Sequence, residues 1–213
     1  MSRSGAWRLL LSAIVVAALA ACAQPLVPRD HFYRLNAVGQ VPAFRDPPLV
    51  GTVTVSPLRA DGLVSQRPVL FSHRDEPLEL RQYNYHYWVE PPPILLQRQL
   101  IDHLRAANVA TTVASPDLRG AAGCRVLGSV RRFERIVGPE PSRIAVELDL
   151  ILVRAGDAAE LLSTTLRADM QAGDERMESV ILAFDAAVTR LFNQFVAELR
   201  QIPTRCGPAR RES

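Results

Sequence analysis

Two hydrophobic periods alternate along the chain. Val50 to Leu58 (VGTVTVSPL) puts apolar or β-branched residues at nearly every second position, the spacing of a strand with one buried face. Phe32 to Ala37 (FYRLNA) is a shorter stretch of the same kind. Pro68 to Ser72 (PVLFS) and Leu78 to Trp88 (LELRQYNYHYW) flank His73-Arg74-Asp75-Glu76-Pro77, a turn composition that predicts a hairpin. The period then lengthens. After Pro91-Pro92-Pro93, where a missing N–H is harmless at a helix start, Leu96, Leu100 and Leu104 recur at every fourth position, with Ile94 and Ile101 beside them. Asn108 is a stop signal. Arg125 to Val137 and Arg143 to Arg154 return to strand spacing. In the second, Ile144, Val146, Leu148, Leu150 and Leu152 share one face, while Glu147 and Asp149 on the other predict a partly wetted sheet. Ala155-Gly156-Asp157 turns the chain, and Leu161 to Met170 pairs back. From Glu175 to Gln201 the stripe from Met177 through Phe184, Val188, Phe192 and Phe195 to Leu199 predicts the strongest helix, with Asp174 as its N-cap. That stripe reads as core, the alternative being a groove or membrane element. Strands, helix, strands, helix is the order of an α+β fold: a mixed or mostly antiparallel sheet with two main helices packed on one face. The 16 prolines, many in the first half, predict long loops between the early strands.

The start of the chain has a different logic. Arg3 and Arg8 precede an apolar run, Leu9 to Ala20, whose length of about 18 Å as a helix falls short of a hydrocarbon core of about 30 Å. This is the layout of an export signal. It ends in Leu19-Ala20-Ala21-Cys22, which resembles the bacterial lipobox: an aliphatic residue, two small residues, then a cysteine whose thiol takes up a diacylglyceryl group. The resemblance implies cleavage before Cys22 and acylation of its new amino group, giving three chains and stable anchoring at about 0.8 kcal/mol per buried methylene. An ordinary secretory signal is the alternative. Ala23, where a retention signal would have Asp, points to the outer membrane and its periplasmic face. The expected organisation is a signal peptide over 1–21, a lipidated tether over 22–31, an α/β domain over 32–202, and a tail over 203–213 disordered apart from Cys206.

Charge and side-chain chemistry then narrow the function. All 25 basic residues are arginine, so a Walker-type phosphate loop, a Schiff-base lysine and a Ser-Lys pair are excluded. Cleavage before Cys22 removes Arg3 and Arg8 and leaves a formal charge of about +1, too little for phosphate-backbone binding. With Cys22 lipidated, Cys124 and Cys206 remain as an even pair in an oxidising compartment; they could form a disulfide, or remain a strand thiol and a tail thiol. His31, His73, His86 and His103 have no metal-ligand spacing; two flank loops, one lies in the tyrosine-rich strand and one on the helix surface. There is no Gly-x-Ser-x-Gly elbow, Gly128-Ser129 lying mid-strand, and no Gly-x-Gly-x-x-Gly. Glu147 and Asp149 could be drawn as a glycosidase pair, but solvated strand residues are the plainer reading. The unusual feature is Tyr83-Asn84-Tyr85-His86-Tyr87-Trp88. On a strand Tyr83, Tyr85 and Tyr87 share one face and Trp88 lies on the other, a pattern that suits contact with a partner or lipid. The alternative is an ordinary sheet face with Trp88 packed on the following helix.

Taken in order, these pieces resemble a known family. The lipobox is followed by Phe32-Tyr33-x-Leu35, the Val53-x-Val55 strand, Ala60-Asp61-Gly62-Leu63 leading to Arg67-Pro68-Val69-Leu70, Tyr87-Trp88-Val89-Glu90-Pro91-Pro92, a Leu-rich helix, and Ala183-Phe184-Asp185-Ala186. The set is similar to the ABC-type transport auxiliary lipoproteins, over residues 22 to about 200. Members commonly carry Arg-Trp-Ala-Glu-Pro where this chain has Tyr87-Trp88-Val89-Glu90-Pro91. The resemblance implies a small non-catalytic domain without cofactor beyond the acyl chains on Cys22. Its implied partners are a periplasmic mammalian-cell-entry (MCE) domain protein with its ABC permease and ATPase, in traffic of lipids or hydrophobic compounds between the membranes. Tyr83 to Trp88 and the loop at Ala60 to Leu63 are the expected partner surface, and a homo-oligomer would suit such a role. Two other classes would wear the same sequence: a structural or regulatory lipoprotein that binds an envelope-assembly enzyme, and a secreted hydrolase.

Overall fold

In the computed structural model the described residues are 28–37, 39, 41–118, 123–202 and 204–206. Cys22, the signal segment, most of the tether and residues 207–213 lie outside them. The elements are β1 (His31–Tyr33), β2 (Leu49–Val55), β3 (Pro68–His73), β4 (Arg81–Trp88), α1 (Pro92–Ala106), β5 (Ala110–Ala114), β6 (Cys124–Val137), β7 (Arg143–Arg154), β8 (Glu160–Gln171), α2 (Met177–Leu199) and β9 (Thr204–Cys206).

The long strand β6 organises a single mixed sheet. One edge pairs antiparallel with β7, and β7 with β8. The other edge is shared. Val53–Val55 of β2 run parallel to Cys124–Val126, and Leu70–His73 of β3 run parallel to Glu134–Val137. Between these two partners a single bridge, Arg59 to Ser129, touches β6. β4 extends the sheet beyond β3 antiparallel, and β1 lies parallel on β4 at the rim.

Strand β2 has partners on both edges. Leu49 pairs with Ala110 of β5 and with Thr204 of β9, so these two strands take opposite edges. Thr54 likewise pairs with Ala114 and with Arg125 of β6. β9 therefore lies on the same edge of β2 as β6, in line with its start. Cys206 pairs with Gly51 and Cys124 with Val53, two positions apart, and a disulfide spans their Cα separation of 4.9 Å. Residues 204–206 are thus a strand and not part of a disordered tail, because a neighbouring backbone edge and a covalent bond hold them.

Both helices cover one face. The inward residues of β7, Ile144, Leu148, Leu150 and Leu152, are wholly buried, as are Phe184, Leu191, Phe192 and Phe195 of α2. The apolar stripe of α2 is core. Trp88 is 1% exposed and sits in an aromatic trio, its ring 5.3 Å from Phe133 and 5.2 Å from Phe184. The helices meet at His103, which is fully buried against the Phe192 ring and hydrogen-bonded through Nε2 to Asn193. The expected surface position of His103 is corrected: it faces α2, and burial pushes its imidazole pKa down.

Other differences have local causes. The strand expected over Phe32–Ala37 ends at Tyr33, because the backbone beyond it bonds to helix side chains. Asn36 N–H donates to Asp185, Ala37 N–H to Gln99, and Thr189 donates to the Ala37 carbonyl. Asp185 is pushed above its ordinary pKa by burial there. The strand β5 follows α1 after a three-residue connection in which Asn108 adopts φ 51°, and its five residues are too few to show a period. Arg176, not Asp174, occupies the N-cap of α2; Asp174 accepts the Arg176 N–H at 2.9 Å from just outside the helix.

Candidate interaction surface

The tyrosine-rich strand is not regular. Pro68 pairs with Tyr87 and Leu70 with Gln82, so five steps along β4 answer two along β3. The three extra residues make a bulge in which Tyr85 adopts φ 64°. A left-handed conformation costs a non-glycine residue about 1–2 kcal/mol. The bulge breaks the alternation, and the expectation that Tyr83, Tyr85 and Tyr87 share a face is corrected. Tyr83 shares the helix-covered face with Trp88. Tyr87, next to Trp88, points the other way and stacks on Phe32 at 5.7 Å, with the Arg67 guanidinium 5.2 Å above the Phe32 ring. Tyr85 projects from the bulge and is 38% exposed.

Tyr83 belongs to a partly buried polar network. Its ring lies 4.4 Å from Phe71, and its hydroxyl accepts a 3.0 Å bond from Arg135. Burial raises the Tyr83 pKa. The Arg135 side chain is only 7% exposed and is paired with Glu175 and with the Ser142 hydroxyl at 2.8 Å. Glu175 also accepts from the Ser142 hydroxyl and N–H, and these bonds, with Arg135, hold its carboxyl below the ordinary range. A buried guanidinium needs such a full set of partners. The network ties the β6–β7 turn to the start of α2. Its residues are far apart in the chain, and no spacing rule announces them.

The histidines and carboxylates find structural partners. Parallel pairing of β1 with β4 stacks His31 on His86 at 5.2 Å, and the Tyr33 hydroxyl bonds His86 Nδ1 at 2.8 Å. Burial is the main cause of a lowered His86 pKa. Among the described residues no group of three His, Cys, Asp or Glu side chains is arranged to hold a metal. Glu147 pairs with Arg167 and Asp149 with Arg131. Partial burial pushes Asp149 up, but bonds from Thr165, Arg131 and Ser129 outweigh it and hold the carboxyl low.

A concavity lies where β6 is left between its two parallel partners. The connection from β2 to β3 crosses there, and Arg59, Ala60, Asp61, Val64, Ser129, Val130 and Arg131 enclose about 560 Å³. Arg59 N–H donates to the Gly128 carbonyl, and Val130 N–H to that of Arg59. Gly128 makes the crossing feasible: a Cβ there would lie 2.4 Å from the Asp149 carbonyl oxygen and 3.1 Å from Leu58. A glycine inside a strand is the sequence signal for such a close approach. The Arg59 and Asp61 side chains at its lip are exposed, and neither forms an ion pair among the described residues. A second groove of about 280 Å³ runs beside α1, between Arg98, Asp102 and Arg105 and the loop at Ser115 to Asp117.

The model of the family described as the ABC-type transport auxiliary lipoprotein component matches residues 33–196. The chain belongs to this family. It is an auxiliary lipoprotein component of ABC-type transport, a class of lipid-anchored envelope proteins. The search of curated proteins found no match. Among solved structures, a Xanthomonas campestris protein is similar at 21% identity and TM-score 0.67, with 78% of this chain and 92% of that one covered. An uncharacterized protein aligns at 10% identity and TM-score 0.60, over 82% of this chain and 98% of its own. A PelC dodecamer from Paraburkholderia phytofirmans aligns at 13% identity and TM-score 0.46, over 76% and 95%. The first two establish the same fold.

Proposed function

We propose that this auxiliary lipoprotein is a non-catalytic, outer-membrane component, acylated at Cys22, that receives the periplasmic MCE-domain protein of an ABC permease and ATPase. In this reading it serves the movement of lipids or hydrophobic compounds between the inner and outer membranes. Family membership over residues 33–196 carries the proposal. Lipid traffic across an aqueous gap needs a shielded path, since each exposed methylene costs about 0.8 kcal/mol, and an anchored docking domain completes such a path. The groove between Ala60–Asp61 and Ser129–Arg131 is the favoured partner site, because its lip carries charges that form no ion pair among the described residues and its floor is fixed backbone. Of the tyrosine strand, Tyr85 and Tyr87 are available for contact, while Tyr83 and Trp88 hold the fold.

The test is a tagged copy pulled from detergent-solubilised membranes, with mass spectrometry of what accompanies it. An MCE-domain protein with its permease is the expected result, and Arg59→Glu should weaken its recovery while the domain stays folded. Recovery of an envelope-assembly enzyme instead would establish the structural or regulatory alternative.

A further inference from the structure

The rim of the sheet at β1 carries an aromatic patch that the core does not use. The pairing of Phe32 with Tyr87 places both at the end of β4, and the exposed Tyr85 in the bulge precedes Tyr87 by two residues. Phe32 is 53% exposed. Among the described residues the other large exposed apolar side chains are Val50, Leu78 and Leu182, on β2, the β3–β4 connection and α2. The Arg67 guanidinium lies over the Phe32 ring and Arg34 follows Phe32 by two residues; both are exposed and neither forms an ion pair among the described residues.

Three observations say what covers it. Tyrosine, with an apolar ring and a polar tip, and arginine are side chains that settle at a membrane–water interface, ring among the headgroups and guanidinium on phosphate, and an exposed phenylalanine beside them adds apolar surface. A tyrosine held at φ 64° in a bulge is backbone strain of the kind that marks functional positions, and here it turns a ring outward. Chain length supplies the partner. Phe32 follows Cys22 by ten residues, so the patch stays within about 35 Å of the acylated residue however the tether is extended.

We propose that the edge formed by β1 and the end of β4 seats on the headgroup layer of the leaflet that holds the anchor, with Phe32, Tyr85 and Tyr87 entering the interface and Arg34 and Arg67 on lipid phosphates. The proposal rests on the reading of Cys22 as lipid-anchored. It leaves the groove at Arg59–Asp61 to the protein partner.

The experiment uses the acylated protein reconstituted in phosphatidylethanolamine–phosphatidylglycerol vesicles whose acyl chains are brominated, heavy atoms that quench nearby tryptophan. Trp88 is buried and supplies a constant background. Phe32→Trp should lose about half or more of its added emission relative to unbrominated vesicles, and Tyr85→Trp should report the same if the first variant folds poorly. Leu182→Trp, on the outer side of α2, should lose almost none. Equal quenching at positions 32, 85 and 182, or none at 32 and 85, overturns the proposal. Mass spectrometry of the protein from the producing cell separates the two readings. An unmodified Cys22 overturns the anchor and this proposal together, whereas acylated Cys22 with unquenched probes overturns this proposal alone.

Discussion

Cutting the bond between Cys124 and Cys206 is the perturbation whose size follows most directly from the structure. The two residues are 82 apart in sequence. In the chain-entropy description, freeing a loop of that length returns about 4.5 kcal/mol of conformational freedom to the unfolded chain at 25 °C. With an m-value of about 2 kcal/mol/M for a chain of this size, the urea midpoint should fall by about 2 M. There is also a local consequence. β9 pairs through only three residues, Thr204 to Cys206, with Leu49 to Gly51. Three residues on one edge do not hold a strand unaided, so reduction should expose the amides of 204–206 to exchange while β6 and β7 stay protected. The assay is urea unfolding and hydrogen exchange of a chain starting at Ala23, oxidised and after reduction, with a Cys124→Ala/Cys206→Ala variant as the permanently open form. A midpoint shift below about 0.5 M, with 204–206 still protected after reduction, would refute the dependence of β9 on the bond and the entropic argument together.

Three further outcomes are expected. Trp88→Ala empties a site 1% exposed between Phe133 and Phe184 and should cost about 3–5 kcal/mol of unfolding free energy, read by denaturant titration. Gly128→Ala drives a methyl group against the Asp149 carbonyl and should cost about 1–3 kcal/mol; because it displaces the crossing at Leu58–Arg59, partner recovery should fall in the same variant at a temperature where it remains folded. Hydrogen bonds from Ser142, with Arg135 behind them, depress the Glu175 pKa below its ordinary 4.5. A depressed acid contributes stability that is present above the unfolded-state value and lost as pH falls through the folded one, so part of the acid loss of stability below about pH 4.5 should disappear in Glu175→Gln, measured by thermal unfolding against pH.

The elements readable in the sequence were those whose burial is decided locally. β7 begins at Arg143 and ends at Arg154 as its alternation requires, since one face lies under α2 and the other is wet. The helices and the β3–β4 hairpin follow their stripes and their turn composition in the same way. β5 and β9 were not readable. Each is short, and each exists because an edge of β2, far away in sequence, offers backbone donors and acceptors. The Arg135–Glu175–Ser142 network was hidden for the same reason: a buried arginine is recognised by its partners, and these come from β6, the turn after it, and the approach to α2.

Both candidate surfaces lie where the sheet loses its register, and there alternation no longer assigns faces. Alternation assigns faces only while each residue advances the strand by one step. In β4 three residues fall outside the count, so the rule that groups Tyr83 with Tyr87 fails between them. In β6 a register shift between Val130 and Arg132 accompanies the gap left between β2 and β3, and that gap is the groove. A continuous sheet satisfies its own edges and offers little to a partner. Interruptions leave backbone and side chains to be met from outside, at the price of local strain such as that of Tyr85. On this fold the two breaks occur at separate places in one sheet, one near its rim beside the strand that follows the tether and one within it, where the loop at Ala60 to Leu63 crosses β6. In the proposed arrangement the membrane meets one interruption and the protein partner the other, so that neither contact competes for the other's residues.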